Sequence, residues 1–236
     1  MNLKEIREIF AKNASPSDKK PMEAYMRNIF DFYGIRAGKR RELSKPYIKE
    51  AKKRDKIDWD ILESLFKDNM REINYLGLDI LRAQAHLLSL SDFDRLVDLA
   101  KIRPWWDTID VIDTIIGSLG LIDNGFEEKI LDLSESSNFW LRRIAIGHQR
   151  KYKDKTRTNL LAKIIKTNIQ IPTQTKDEKF FIEKSIGWAL REYSKTNTSW
   201  VRDFLDENKD QLQPFLGEKP VNTCNSRIFL EIIIKI

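Results

Sequence analysis

Apolar residues recur at helical spacing along the chain, in segments separated by short polar turns. Ile109, Ile112, Ile116 and Leu119 show the pattern plainly, forming one stripe on a helix that would open just after Pro104. The same reading predicts an amphipathic helix at the N-terminus and a second one at 21–30 that ends by Gly34. Further helices are expected at 59–67, 71–88, 93–101, 105–119, 126–134, 139–153, 159–167, 179–195 and 200–215.

From position 58 onward these helices pair. Aligning the second member of each pair superposes Asn74-Tyr75, Trp105-Trp106, Phe139-Trp140 and Phe180-Phe181 at offsets of 31, 34 and 41 residues; Tyr152 and Tyr193 share the last offset. A two-helix unit that recurs at this period buries its apolar face only by stacking on its neighbours. The predicted fold is therefore all-α, an α-solenoid of HEAT-like two-helix repeats whose second helices line a concave basic cleft. One domain is expected over 1–236, with N-terminal helices at 1–54, repeats at 55–215 and a tail at 216–236. The inner surface would inherit Arg142, Arg143, Arg150, Lys151, Lys153, Lys184 and Arg191 beside aromatic residues, as nucleic-acid binding requires. Peptide-binding solenoids share this architecture, so fold alone does not choose between the two partners.

Composition narrows the choice. Only 9 Gly and 7 Pro argue against an all-β or disordered chain. A net charge of +6 favours a polyanionic partner, although 42 basic residues against 36 acidic ones require segregation to make a patch. The densest basic tract is 36–54, where nine Lys and Arg face only Glu42 and Glu50; a solvated helix face and a phosphate-contacting face both explain it. A lone Cys224 with only His86 and His148 gives no metal-ligand spacing, and no metal or cofactor is expected. No apolar run approaches the roughly 18 residues of a membrane span, so no membrane partner and a cytoplasmic location are expected.

Candidate chemistry centres on 105–113. Trp106, Asp110 and Asp113 fall at i, i+4 and i+7, away from the isoleucine stripe. A core indole with two solvated aspartates is the ordinary explanation, and a site combining carboxylates with an aromatic wall is the other. Gly187, unfavourable by about 1 kcal/mol inside a helix, lies beside Trp188 and marks either a close approach or simple packing of that indole. Tyr25 is either core or an exposed aromatic.

Four stretches together resemble the AlkD-type DNA alkylation repair family: Pro21-Met22-x-x-Tyr25-Met26 with Phe32-x-Gly34-Ile35; Trp105-Trp106-Asp107-x-x-Asp110; Trp140-Leu141-x-Arg143-x-Ala145-Ile146 continuing to Lys151-Tyr152-Lys153; and 180–197 with Ile186-Gly187-Trp188-x-Leu190-Arg191-Glu192-Tyr193. The resemblance runs from about Pro21 to Phe215. It implies a monofunctional glycosylase that excises cationic N3- and N7-alkylated purines from duplex DNA, working as a monomer in an open groove without a base-specific pocket. It places the catalytic carboxylate at Asp110, lesion-flanking indoles at Trp106 and Trp188, a cleft aromatic at Tyr25 and a backbone-contacting arginine at Arg143. A DNA-structure binder without catalysis is the alternative on the same scaffold. The chain departs from the family at its end, where a Ser-basic-basic-Glu-Ala helix opening is absent and 228–236 is strongly apolar.

Overall fold

The computed structural model describes residues 1–123 and 125–212; the divergent tail at 216–236 lies outside the described residues. These residues are helical throughout and contain no strand, only a single parallel bridge between Asp31 and Met70. No described helix is long and apolar enough to cross a membrane. The chain forms two compact units, Met1–Pro104 and Trp105–Ile236.

In the first unit, α1 (Leu3–Lys12), α2 (Pro16–Tyr25), α3 (Ala37–Ala51), α4 (Trp59–Phe66), α5 (Arg71–Ala83) and α6 (Phe93–Lys101) follow in order. The second helix starts earlier than its apolar residues suggest because Pro16 takes the first helical turn, where its missing N–H is no loss. Helix α5 packs on both α3 and α4, and α1 closes over α4. It stops at Ala83, short of the expected 88, and the chain continues in two 3-10 turns, Ala85–Leu87 and Leu90–Asp92.

Buried polar residues hold this unit as firmly as its apolar ones. The Asn74 amide donates to the carbonyls of Leu65 (2.9 Å), Phe66 (3.2 Å) and Asp68 (3.0 Å), capping the end of α4. Glu72 accepts from the backbone N–H groups of Tyr33 (3.1 Å), Gly34 (2.9 Å) and Ile35 (3.0 Å). Burial raises the pKa of Glu72 and these donors oppose the rise. Gly34 has φ +84°, and a Cβ there would collide with the Ser15 carbonyl, so only glycine lets the bend close.

The second unit contains α7 (Trp106–Leu119), α8 (Phe126–Ser134), α9 (Phe139–Gly147), α10 (Thr158–Gln170), α11 (Lys176–Ser194), α12 (Thr198–Glu207) and the single turn α13 (Lys209–Leu212). Helix α9 packs between α7 and α11. Helices α8 and α10 contact each other and back onto α9, while α12 lies on α11. This is the stacked two-helix arrangement that the period predicts. Its repeated aromatic positions meet: Trp105 and Trp140 have ring centroids 5.5 Å apart, Trp105 and Phe181 5.1 Å, and Trp140 and Phe181 4.7 Å. Contacts of this kind contribute about 0.5–1.5 kcal/mol each beyond area burial, so Trp105, Trp140 and Phe181 are core, whereas Trp106 and Phe139 are half-buried and Phe180 is exposed.

Helix α9 ends at Gly147 rather than 153. Lys153 has φ +54° and starts a 3-10 turn, Lys153–Lys155. Tyr152 is therefore off the helix, buried, with its hydroxyl donating to the Gly117 carbonyl, whereas Tyr193 remains on α11 against Trp200. The shared 41-residue offset is therefore not a structural equivalence at the tyrosines.

Candidate active site

Pro104 and the extended N-cap Trp105 start α7, and Asp110 follows Trp106 by one turn on the same helix. Asp110 meets Arg143 of α9 in a two-pronged pair: Nε donates to Oδ1 at 2.9 Å and Nη2 to Oδ2 at 3.0 Å. The remaining Nη1 donates to the Phe181 carbonyl at 2.6 Å, and the Arg143 carbonyl accepts from Ser185 Oγ at 3.3 Å. Helices α7, α9 and α11 are thus joined at one guanidinium. The Arg143 side chain is 5% exposed and that of Asp110 15%, so the Asp110 side chain is partly open to solvent.

One turn further on, Asp113 is fully buried and paired with Arg150. It lies about 60° around the helix from Asp110, enough to turn it inward, so the solvated reading of this aspartate is wrong. A Cβ at Gly147 would collide with Asp113 Oδ2; glycine is required for the carboxylate to seat there. Arg150 Nη2 also donates to the Asp110 carbonyl at 3.0 Å, and its Nε to the Gly147 carbonyl at 3.3 Å. The guanidinium lies 3.7 Å from the ring centroid of Trp188 on α11. Glu192, one turn along, accepts a hydrogen bond from the same indole and pairs with Lys195 at 2.6 Å.

Burial pushes the Asp113 carboxyl up to about 7, opposed by Arg150 and reinforced by the Asp110 charge. His148, buried between Phe126 and Tyr152, is pushed down to about 4 by burial. Its Nδ1 lies 2.6 Å from the Ala145 carbonyl, which can only accept; Nδ1 therefore carries the proton, and Nε2 has no partner to support a second one.

The two groups act oppositely on stability. The Asp113 contribution is present below its unfolded value near 3.8 and is lost as pH rises to about 7; that of His148 is present above 6.5 and is lost as pH falls to about 4. Between pH 4 and 6.5 they offset each other. Asp113→Asn should therefore lose stability on acidification across that window, relative to wild type, by on the order of 1 kcal/mol per pH unit, and His148→Leu should gain about as much. Denaturant unfolding of both variants at pH 4.5 and 6.5 measures this, and parallel curves for all three proteins would refute it.

The arginines expected on phosphates are placed otherwise. Arg143 and Arg150 have side chains only 5% and 6% exposed, with their donors committed to Asp110, Asp113 and backbone carbonyls. Arg142 is buried against Glu178. The alternation of basic residues along a helix did not reveal that each faces a carboxylate on a neighbouring helix. Exposed cations remain at Lys151 and Lys153, which line an open pocket of about 540 Å³ together with Gln149, Arg150, Tyr193 and Lys195. Lys184 lies over the Phe180 ring at 5.6 Å, and Arg191 is half-buried.

Trp106 and Trp188 are both half-buried. Gly187 is buried, yet a Cβ there would meet nothing within 4 Å, so among the described residues no neighbouring element makes the close approach that its position suggests. In the first unit Tyr25 is 72% exposed, which settles its two readings in favour of the surface. The basic tract coincides with α3 and its flanks. Arg36 pairs with Asp18 and Arg40 with Asp79, both at 2.6 Å, and Arg54 joins Glu50 and Asp58, while Lys45, Lys49, Lys52 and Lys53 are exposed.

Comparison with curated proteins returns no match. Among solved structures, a predicted DNA alkylation repair enzyme from Enterococcus faecalis superposes with a TM-score of 0.75 at 30% identity, covering 89% of this chain and 98% of that one. The family model for DNA alkylation repair enzymes matches residues 6–218. With nine-tenths of its length inside that match, the chain belongs to the DNA alkylation repair enzyme family.

Proposed function

We propose that this chain is a DNA glycosylase that releases cationic N3- and N7-alkylated purines from duplex DNA. The observation that carries the proposal is the Asp110 carboxylate, fixed by the Arg143 fork on a side chain that is partly open to solvent. Trp106 lies one helical turn away on α7, and Trp188 is joined to the site through Arg150. Alkylation at N3 or N7 puts a positive charge on the base, which weakens its bond to C1′ before any enzyme acts. On cleavage the bonding electrons move onto the base and neutralise it, so no acid is needed. The remaining demand is for negative charge near the oxocarbenium-like sugar and for an oriented water. That water adds to C1′ and gives its proton to the carboxylate or to solvent.

A carboxylate has about four acceptor positions, and the Arg143 fork uses two. The other two can face the sugar and the water in an orientation set before substrate arrives; preorganised groups of this kind contribute about 3–4 kcal/mol each in other enzymes. Arg143 reduces the field of Asp110 at long range but leaves its near lone pairs effective. Lys151, Lys153 and the exposed lysines of the α3 region are the phosphate contacts on this reading, with Tyr25 as a surface aromatic against DNA. The Arg143 pair also suits a purely structural Asp110, under which the chain binds damaged DNA without cutting it. Incubation with N-methylated duplex separates the two readings: free 7-methylguanine and 3-methyladenine with abasic sites left in the strand are expected, and binding without any released base would establish the second.

A further inference from the structure

Arg150 has surroundings unlike those of a phosphate ligand. It follows α9, yet its guanidinium reaches the Asp110 carbonyl at 3.0 Å and the buried Asp113 carboxylate on α7, and stacks 3.7 Å from the Trp188 ring on α11. The guanidinium is buried and the indole is only half-buried, so the exposed part of the ring lies away from Arg150. Gly147 exists as glycine where Asp113 needs the space to hold this arginine.

We propose that Arg150 is the positioning residue for Trp188. Anchored to Asp113 and to the Asp110 carbonyl, it fixes the plane of the indole relative to the Asp110 carboxylate and leaves the outer ring face to the cationic base. Asp113 completes the device: an uncompensated arginine on one face of a ring would repel a second cation arriving on the other, and the paired carboxylate cancels that repulsion. The proposal rests on the glycosylase reading for what occupies the outer face, but not for the placement of the ring.

The test is a double-mutant cycle with wild type, Arg150→Lys, Trp188→Ala and the double variant, at pH 8. Three quantities are read: the single-turnover rate of 7-methylguanine release at saturating protein, the salt dependence of duplex affinity, and the Trp188 emission isolated as the difference between proteins with and without that indole. Lysine keeps the charge and the Asp113 pair but loses the planar stack. We expect Arg150→Lys to slow release about tenfold or more, to leave the salt slope unchanged, and to shift Trp188 emission to the red with greater access to iodide. The double variant should be no slower than Trp188→Ala alone, because the arginine acts through the indole. The charge-removing Arg150→Gln is measured alongside, and in it a salt slope reduced by about 0.9 with an unchanged release rate would make Arg150 a phosphate contact. Additive losses in the double variant would place its action elsewhere, and either result overturns the proposal. If Arg150→Lys does not fold, Arg150→Gln takes its place. If wild type releases no base, the glycosylase reading fails, and the emission decides the positioning role alone: no shift overturns it, and a shift upholds it.

Discussion

Asp110→Asn is expected to slow base release by a factor on the order of 100 or more while leaving duplex affinity nearly unchanged, because the carboxylate acts on charge that develops only in the transition state. A hundredfold corresponds to about 2.7 kcal/mol of lost transition-state stabilisation, within what one preorganised group supplies. The Arg143 fork adds a second consequence. Asparagine keeps one acceptor for the buried guanidinium and presents an amide donor where the other acceptor stood, so Arg143 keeps its charge with half its partner. The variant should therefore also be less stable, though by less than the roughly 3–5 kcal/mol that follows removal of a buried partner outright. Rates are to be compared at a temperature where unfolding curves show both proteins folded. Equal rates for the two folded proteins would remove Asp110 from the mechanism.

The helical fold and the stacking of α7, α9 and α11 were legible in the sequence because they depend on a periodic pattern, and one aromatic from each recurring pair, Trp105, Trp140 and Phe181, shares one core. Helix ends were less legible. The 71–88 pattern continues past Ala83 because Leu88, just after the first 3-10 turn, is again buried in the core. Asp110 and Trp106 could be singled out from spacing, but partners could not. Whether Arg143 faces a phosphate or Asp110 depends on how two helices 33 residues apart are rotated against each other. The same is true of Arg142 with Glu178 and Arg150 with Asp113. Formal charge thus overstates the basic character of α9: its arginines are cross-links, and the exposed cations that follow it include Lys151 and Lys153. His148 carried no signal at all, since only burial distinguishes a neutral histidine from a solvated one.

Activity should follow the formal charge of the lesion more closely than its shape. Asp110 lies beside Arg143 and Arg150, both bound to carboxylates or carbonyls on their donor sides, and neither arrangement offers a proton to a departing base. A neutral base must leave as an anion unless it is protonated; Asp113, the carboxyl pushed up to about 7, is fully buried against Arg150 and away from solvent, so the site gives such a base little help. An alkylated purine already carries the charge that protonation would supply. The indoles select in the same direction, because a ring face attracts a cation by about 0.5–2 kcal/mol and presents no array of donors and acceptors to read a neutral base edge. On the proposed role of Arg150, its pairing with Asp113 would keep the cation behind Trp188 from opposing one in front. N7-methylguanine and N3-methyladenine should therefore be released from duplex DNA, while hypoxanthine, uracil and ethenoadenine should remain in place under the same conditions. Chromatography of the freed bases from a set of single-lesion duplexes measures the whole series. Release of hypoxanthine at a rate comparable to that of 7-methylguanine would require an acid among residues to which no such role falls in this structure, and the charge-based account of Asp110, Trp106 and Trp188 would then be abandoned.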